Sequence, residues 1–227
     1  MIADAFNASL QRIHTQILSL KDFIAHASHE LKTPLMMINT EIDLALKKKD
    51  YEDRLSNIKS GTKRLSDLLE HLSLITRLES TSALEKESIT LQPLVEESRA
   101  SLLKKYPTAQ ISLHIPRGYT VLAHPMLLGI VIHNLLENAC KYAGEGAQIS
   151  FSADKQGFSV QDTGVGIAPA HQEKIFERFW QLEKTEEKGY SFGLGLYLVK
   201  KILTLHGWKI TVESELGKGT TFSIFVT

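Results

Sequence analysis

Phe23-Ile24-Ala25-His26-Ala27-Ser28-His29-Glu30-Leu31-Lys32-Thr33-Pro34-Leu35 lies inside the apolar pattern that decides the N-terminal fold. Leu10, Ile17, Ile24, Leu31 and Ile38 fall seven residues apart, and Phe6, Ile13, Leu20 and Ala27 form a second row with the same spacing. Two such rows mark the seam of a long helix that pairs with others. With Ile24 and Leu31 in the seam, His29 takes an outward position, facing solvent or a docking partner. Glu30 stands beside it, and Thr33 follows one turn on along the same face. Pro34 has no N–H to give to the carbonyl of Glu30, which predicts a kink at that point. A kink beside a reactive side chain gives the helix two ways to bend.

Beyond a polar break at Lys47, Lys48, Lys49 and Asp50, the residues Leu55, Ile58, Leu65, Leu69, Leu72 and Ile75 resume helical spacing. Two helices around a short loop make an antiparallel hairpin. One hairpin leaves apolar rows uncovered, so two hairpins are expected to pair as a four-helix bundle, making the chain a homodimer. From Ser80 to Glu87 the pattern lapses into small and charged residues, read as a linker. The expected division is residues 1–80, a linker at 81–88, and a second domain at 89–227. In that domain Leu91–Tyr106, Pro125–Tyr142 and Leu194–His206 read as helices. Gln110–Ile115, Gln148–Ala153, Phe158–Gln161, Lys209–Ser214 and Thr220–Val226 alternate as strands. Helices layered on a mostly antiparallel sheet, an α+β two-layer sandwich, are expected.

The 227 residues are 43% hydrophobic, enough to bury a core, and 26 Lys and Arg balance 26 Asp and Glu. With a pI near 7.1 there is no global basic field, and nucleic acid is not an expected partner. The one cysteine, Cys140, has no internal disulfide partner, which fits a reducing compartment; a small buried filler is its simplest role. No apolar run approaches the roughly 18 residues that a membrane span needs. The heptads begin at once, with no sensor domain ahead of them. The chain is therefore expected to be the cytoplasmic part of a longer, membrane-bound protein, joined to the membrane only through an upstream sensor segment.

Chemistry gathers in the second half. Asn134, Asn138, Lys141 and Tyr142 are spaced i, i+4, i+7 and i+8 and line one helical face, with Leu128, Leu135 and Ala139 toward the other. An amide oxygen suits Mg2+, an ammonium pairs with phosphate, and a phenol ring stacks on a base. Asp162 ends a strand whose Phe158 and Val160 share its side, which places a carboxylate at the edge of the core, where it needs donors. The exocyclic amine of adenine is such a donor, whereas guanine offers an acceptor there. Gly164 and Gly166 allow close backbone approach. Gly193-Leu194-Gly195-Leu196 opens a helix, whose N-terminal amides favour phosphate. The polar stretch between Phe179 and Gly193, carrying Gly189 and Ser191, reads as a mobile lid, with Ile175, Phe176, Phe179 and Trp180 as core anchors beside it. A P-loop motif is missing, Pro169 stands where a dinucleotide fingerprint needs glycine, and Gly217-Lys218-Gly219-Thr220 reads as a hairpin turn. His26 and His29 have helical metal-ligand spacing, but no third ligand is evident near them.

FIAHASHELKTPL from Phe23 resembles the phosphoacceptor box of the sensor histidine kinases of two-component systems. NLLENACKYA from Asn134, DTGVGI from Asp162, IFERFW from Ile175 and GLGL from Gly193 resemble that family's N, G1, F and G2 boxes, in the family's order. The resemblance implies a dimerisation and phosphotransfer bundle followed by an ATP-binding sandwich shared with gyrase-type ATPases and heat-shock chaperones. It implies that His29 is phosphorylated, that Glu30 orients or deprotonates it, and that Thr33 assists water in a reverse phosphatase reaction. By the same resemblance Asn138 binds magnesium, Asn134 and Lys141 meet the phosphates, Tyr142 and Asp162 meet adenine, and a response regulator receiver domain is the partner. Ser191 stands where the family often has a glycine, and Gln181 where it often has an arginine that steadies the transferring phosphoryl group. Arg178 or Lys184 are the substitutes at hand. Without a substitute, a slow kinase step is expected; Gln181 and Ser191 also motivate an alternative, a kinase-deficient, nucleotide-binding signalling scaffold. A gyrase-like clamp ATPase is a third reading, and it has no use for His29.

Overall fold

The computed structural model describes residues 2–48, 51–144, 146, 148–181 and 191–226. Lys49, Asp50, Lys184 and Gly189 therefore lie outside the described residues. Contacts divide the chain into two compact units, residues 1–74 and 75–227.

The first unit is built from α1 (Ile2–Lys48) and most of α2 (Glu52–Ser80). α1 runs uninterrupted through Pro34. Ala27, Glu30 and Pro34 are buried, along with Gly61 and Leu68 of α2. At Gly61 the two helices approach closely. A Cβ there would come 2.7 Å from Ile38 Cγ1 and 2.9 Å from Met37 Cε. Nearer the turn, Glu41 joins the helices by accepting from Arg54 at 2.7 Å and from Asn57 at 3.1 Å. The expected apolar row of α2 needs correction at two positions: Leu55 and Leu69 are 61% and 55% exposed, and Leu68, outside that row, is fully buried together with Ile75, which belongs to it. Of the α1 rows, Phe6, Leu10, Ile13, Ile17, Leu20 and Ile24 are exposed in the single chain.

In the second unit, β2 (Gln110–His114), β4 (Gln148–Asp154), β5 (Gly157–Asp162), β7 (Gly219–Phe225) and β6 (Lys209–Glu215) form one sheet in that order. β2 and β4 pair in parallel and the other neighbours are antiparallel. α4 (Pro125–Ala143) packs on β4 and β5, flanked by α3 (Leu91–Lys105) and α5 (Gly195–His206). Leu128, Ile132, Leu135, Leu136, Ile149, Phe151 and Leu198 are fully buried between the layers. Phe151 stacks on Phe158, and Trp208 meets Phe158 edge-on. A two-stranded sheet, β1 (Glu87–Thr90) with β3 (Thr120–Ala123), adds two strands that the alternation pattern did not predict. β1 begins inside the stretch read as a linker. Ile175 and Phe176 are buried as expected of core anchors, whereas Phe179 and Trp180 are half-buried.

Candidate functional site

Chemistry-bearing side chains gather in two places, one in each unit. In the first, the α1 periodicity turns Glu30 inward with Ala27 and Pro34 and leaves His29 outward. The His29 side chain is 69% exposed and that of Glu30 only 9%. His29 Nδ1 lies 3.7 Å from Glu30 Oε1. A carboxylate on that side leaves Nε2 directed to the outside. Thr33 Oγ1 donates to the carbonyl of His29 at 3.3 Å, so its hydroxyl sits on the His29 face, as the i, i+4 spacing requires. His26 Nδ1 lies 2.8 Å from the carbonyl of Asp22, one turn back along α1. Among the described residues no three His, Cys, Asp or Glu side chains cluster as a metal ligand set.

The second place is the upper face of α4. Leu128, Leu135 and Ala139 are buried, and Asn134, Asn138, Lys141 and Tyr142 are half-exposed on the opposite face. Asn134 Nδ2 donates to the carbonyl of Ile130 at 2.8 Å, which fixes the amide with its oxygen forward. A Cβ on Gly195 would lie 2.5 Å from that oxygen, so the first turn of α5 sits directly against the asparagine row. Gly193 holds a φ of +68°, which brings its backbone against Phe179 and Trp180. Phe179 itself has a φ of +61°, a conformation that side chains other than glycine rarely adopt. Leu194 is buried and anchors the turn, and Leu196 is half-exposed. At the other end of α4, a Cβ on Gly164 would lie 2.5 Å from the carbonyl of Tyr142. Gly166 packs against the carbonyl of Glu215. Segments far apart in sequence thus meet along one helix face.

Asp162 is buried at the end of β5. Its Oδ1 accepts the N–H of Gly164 at 2.8 Å. Burial pushes the carboxyl above its ordinary range, against the pull of the Gly164 and Thr220 backbone N–H groups. Burial pushes the Lys141 ammonium down, with Glu137 opposing. Lys141 Nζ also lies 5.2 Å from the Tyr142 ring centre. Cys140 behaves as the expected filler: it is buried, and burial pushes its thiol up to about 11. The row fits a nucleotide that brings its own ion. Asn138 offers one hard amide oxygen, and Mg2+ fills its remaining positions from phosphates and water.

Other contacts were not foreseen. Arg178 donates to the Tyr197 hydroxyl at 2.7 Å, stacks over that ring, and pairs with Glu79 in the last turn of α2. Gln181 Nε2 donates to the carbonyl of Ser191 at 2.7 Å. Long-range pairs of this kind leave no periodic trace in a sequence. Thr220, first residue of the expected last strand, is set opposite Asp162 by the register of β5 against β7.

Two families match the chain: residues 19–81 match the His Kinase A (phospho-acceptor) domain, and residues 123–227 match the Histidine kinase-, DNA gyrase B-, and HSP90-like ATPase. Sensor-like histidine kinase SenX3 of Mycolicibacterium smegmatis is 32% identical over 218 residues, covering 91% of this chain and 57% of that protein. Sensor protein SrrB of Staphylococcus aureus is 32% identical over 219 residues, covering 90% and 37%. The chain thus spans between about a third and three-fifths of these relatives. Among solved structures, histidine kinase ThkA in complex with response regulator protein TrrA superposes with a TM-score of 0.72 at 25% identity, covering 93% of this chain and 62% of that one. Histidine kinase AdeS of Acinetobacter baumannii gives 0.71 at 21% identity, covering 87% and 97%, a likeness of fold. Full-length ShkA in complex with AMPPNP gives 0.65 at 26% identity, covering 91% and 46%.

Proposed function

Because this chain belongs to the sensor histidine kinases of two-component systems, we propose that it phosphorylates its own His29 from ATP and passes the group to an aspartate of a response regulator. The observation that carries this reading is the outward His29 backed by a buried Glu30 at 3.7 Å. Glu30 faces Nδ1, so the proton belongs there and the lone pair on Nε2 is the nucleophile. As Nε2 bonds to the γ-phosphorus, the bond to the bridging oxygen of ADP breaks. The ring then carries positive charge, which Glu30 shares or relieves by taking the Nδ1 proton.

In the second unit, Asn134 and Lys141 hold the phosphates, and the amides of Gly193, Leu194, Gly195 and Leu196 at the start of α5 face them. Tyr142 stacks on adenine, and Asp162 accepts from its exocyclic amine. Gly164 and Gly166 keep the base edge of the pocket open to close approach. Asn138 would hold Mg2+, which when bound neutralises phosphate charge. Thr33 positions water for the reverse phosphatase reaction. The exposed α1 rows pair two chains into a homodimer, and the receiver domain of the regulator docks on the bundle near His29. Among the described residues no helix is long and apolar enough to cross a membrane. The anchor is placed in an upstream sensor segment of a longer protein, with this part on the cytoplasmic side.

The test is incubation with Mg2+ and γ-labelled ATP, followed by mapping of the label. Acid-labile label on His29, lost in His29→Ala, is the expected result. Label-free chain with nucleotide bound would make it a signalling scaffold, and steady ATP turnover in His29→Ala would favour a clamp ATPase.

A further inference from the structure

His206, the last residue of α5, is almost wholly buried, yet both its ring nitrogens are engaged. Nδ1 lies 2.8 Å from the carbonyl of Ile202, so it must carry a hydrogen. Nε2 lies 3.0 Å from the backbone nitrogen of His124 and must accept its N–H. These two bonds require the neutral Nδ1–H tautomer. A second proton on Nε2 would face the His124 N–H donor to donor. His124 is the N-cap residue of α4 and its side chain makes no capping bond. The His206 ring is therefore the bond that ties the end of α5 to the beginning of α4.

The other end of α5 meets α4 at the site, where the start of α5 rests on Asn134, midway along α4. The two contacts fix α5 along α4, one at the imidazole and one at the asparagine row. We propose that His206 is a positioning residue through which pH sets nucleotide affinity. This rests on the reading of the α4 row as a nucleotide site. Loss of the His124–His206 bond frees the end of α5, and the Gly193–Leu196 turn loses its fixed placement against Asn134.

The groups that face His206 are few. Lys86 Nζ, from the segment before β1, donates to the His206 carbonyl at 2.8 Å. The His124 side chain comes from α4, and the Trp208 ring, 5.0 Å away between centres, comes from the segment leading into β6. Burial, then the positive Lys86 and the His124 ring, hold His206 below its ordinary value, and the bond to Ile202 opposes them. The sign follows: the unfolded chain takes up this proton first, so stability falls as pH drops below about 6.5, and the tie is lost only at the lower pH where the folded ring itself protonates. By reciprocity, nucleotide favours the neutral ring and moves its titration to lower pH.

The test is an NMR titration of the His206 imidazole in the full chain from pH 7.5 to 5, with and without saturating Mg-AMPPNP, alongside calorimetric affinities for the same nucleotide. The expected result is a neutral Nδ1–H ring at pH 7.5 and a midpoint displaced downward by nucleotide. The affinity loss on acidification should exceed that of His206→Gln by about fivefold. His124→Leu keeps the backbone donor and should keep the pH dependence. A midpoint indifferent to nucleotide, or a dependence that persists in His206→Gln and vanishes in His124→Leu, overturns the inference. Should His206→Gln fail to fold, the ring titration of the unaltered chain decides alone. Absence of Mg-AMPPNP binding at pH 7.5 removes the nucleotide reading and this inference with it. Binding with an unmoved titration removes this inference only.

Discussion

Asp162 is held where water is scarce and its charge is disfavoured. A carboxyl raised by burial withholds stability from the fold once ionised: the penalty is absent below the ordinary carboxylate value and grows as pH rises through the raised one. Asp162→Asn keeps an acceptor for Gly164 and removes the charge. At pH 7 the nucleotide-free variant is expected to melt no lower than the parent, read by circular dichroism. Its affinity for Mg-AMPPNP should fall about 10- to 100-fold, the scale of a hydrogen bond to a charged group. A variant that melts earlier and binds equally well would contradict both the burial argument and the proposed adenine contact. Glu30 gives a different signature. Glu30→Gln should slow labelling of His29 about 100-fold, the scale of general base assistance, with nucleotide affinity unchanged.

Among the elements, α1 and α2 approach at Gly61, where any side chain must displace Met37 and Ile38. Gly61→Leu is expected to cost the helical unit about 1–3 kcal/mol, measured by urea unfolding; a neutral result would mean the helices separate freely. Such crossings show what a sequence conveys. The long rows of α1 and the helix of the asparagine face were legible because their spacing persists over many turns. β1 and β3 were not, because each is only four residues long and no turn signal joins them as a hairpin. Leu68 was missed for another reason. Leu65, Leu68, Leu69 and Leu72 all have helical spacing, and only the partner helix selects which of them is covered. At the candidate site the residue types and their faces were legible. The placement of α5 against Asn134, and the Arg178–Tyr197–Glu79 cluster, arise from packing between distant segments and had no local signal.

For the whole molecule, the row Leu10, Ile17 and Ile24 stands exposed to solvent in the single chain. Placing aspartate at both Ile17 and Ile24 should convert the proposed dimer to monomer by sedimentation, with the ATP-binding unit still folded. A persistent dimer would move the interface elsewhere. One further property follows from the bond between Gln181 and Ser191 and from the backbone of Gly193 seated on Phe179 and Trp180. These contacts hold Gln181, Ser191 and Gly193 at fixed places on the domain. Between two fixed points, doubling the length of a connecting segment adds only about 0.6 kcal/mol of closure entropy. Tags, reporters or foreign peptides inserted there should leave the melting temperature of the domain nearly untouched, which makes this position a natural port for engineering.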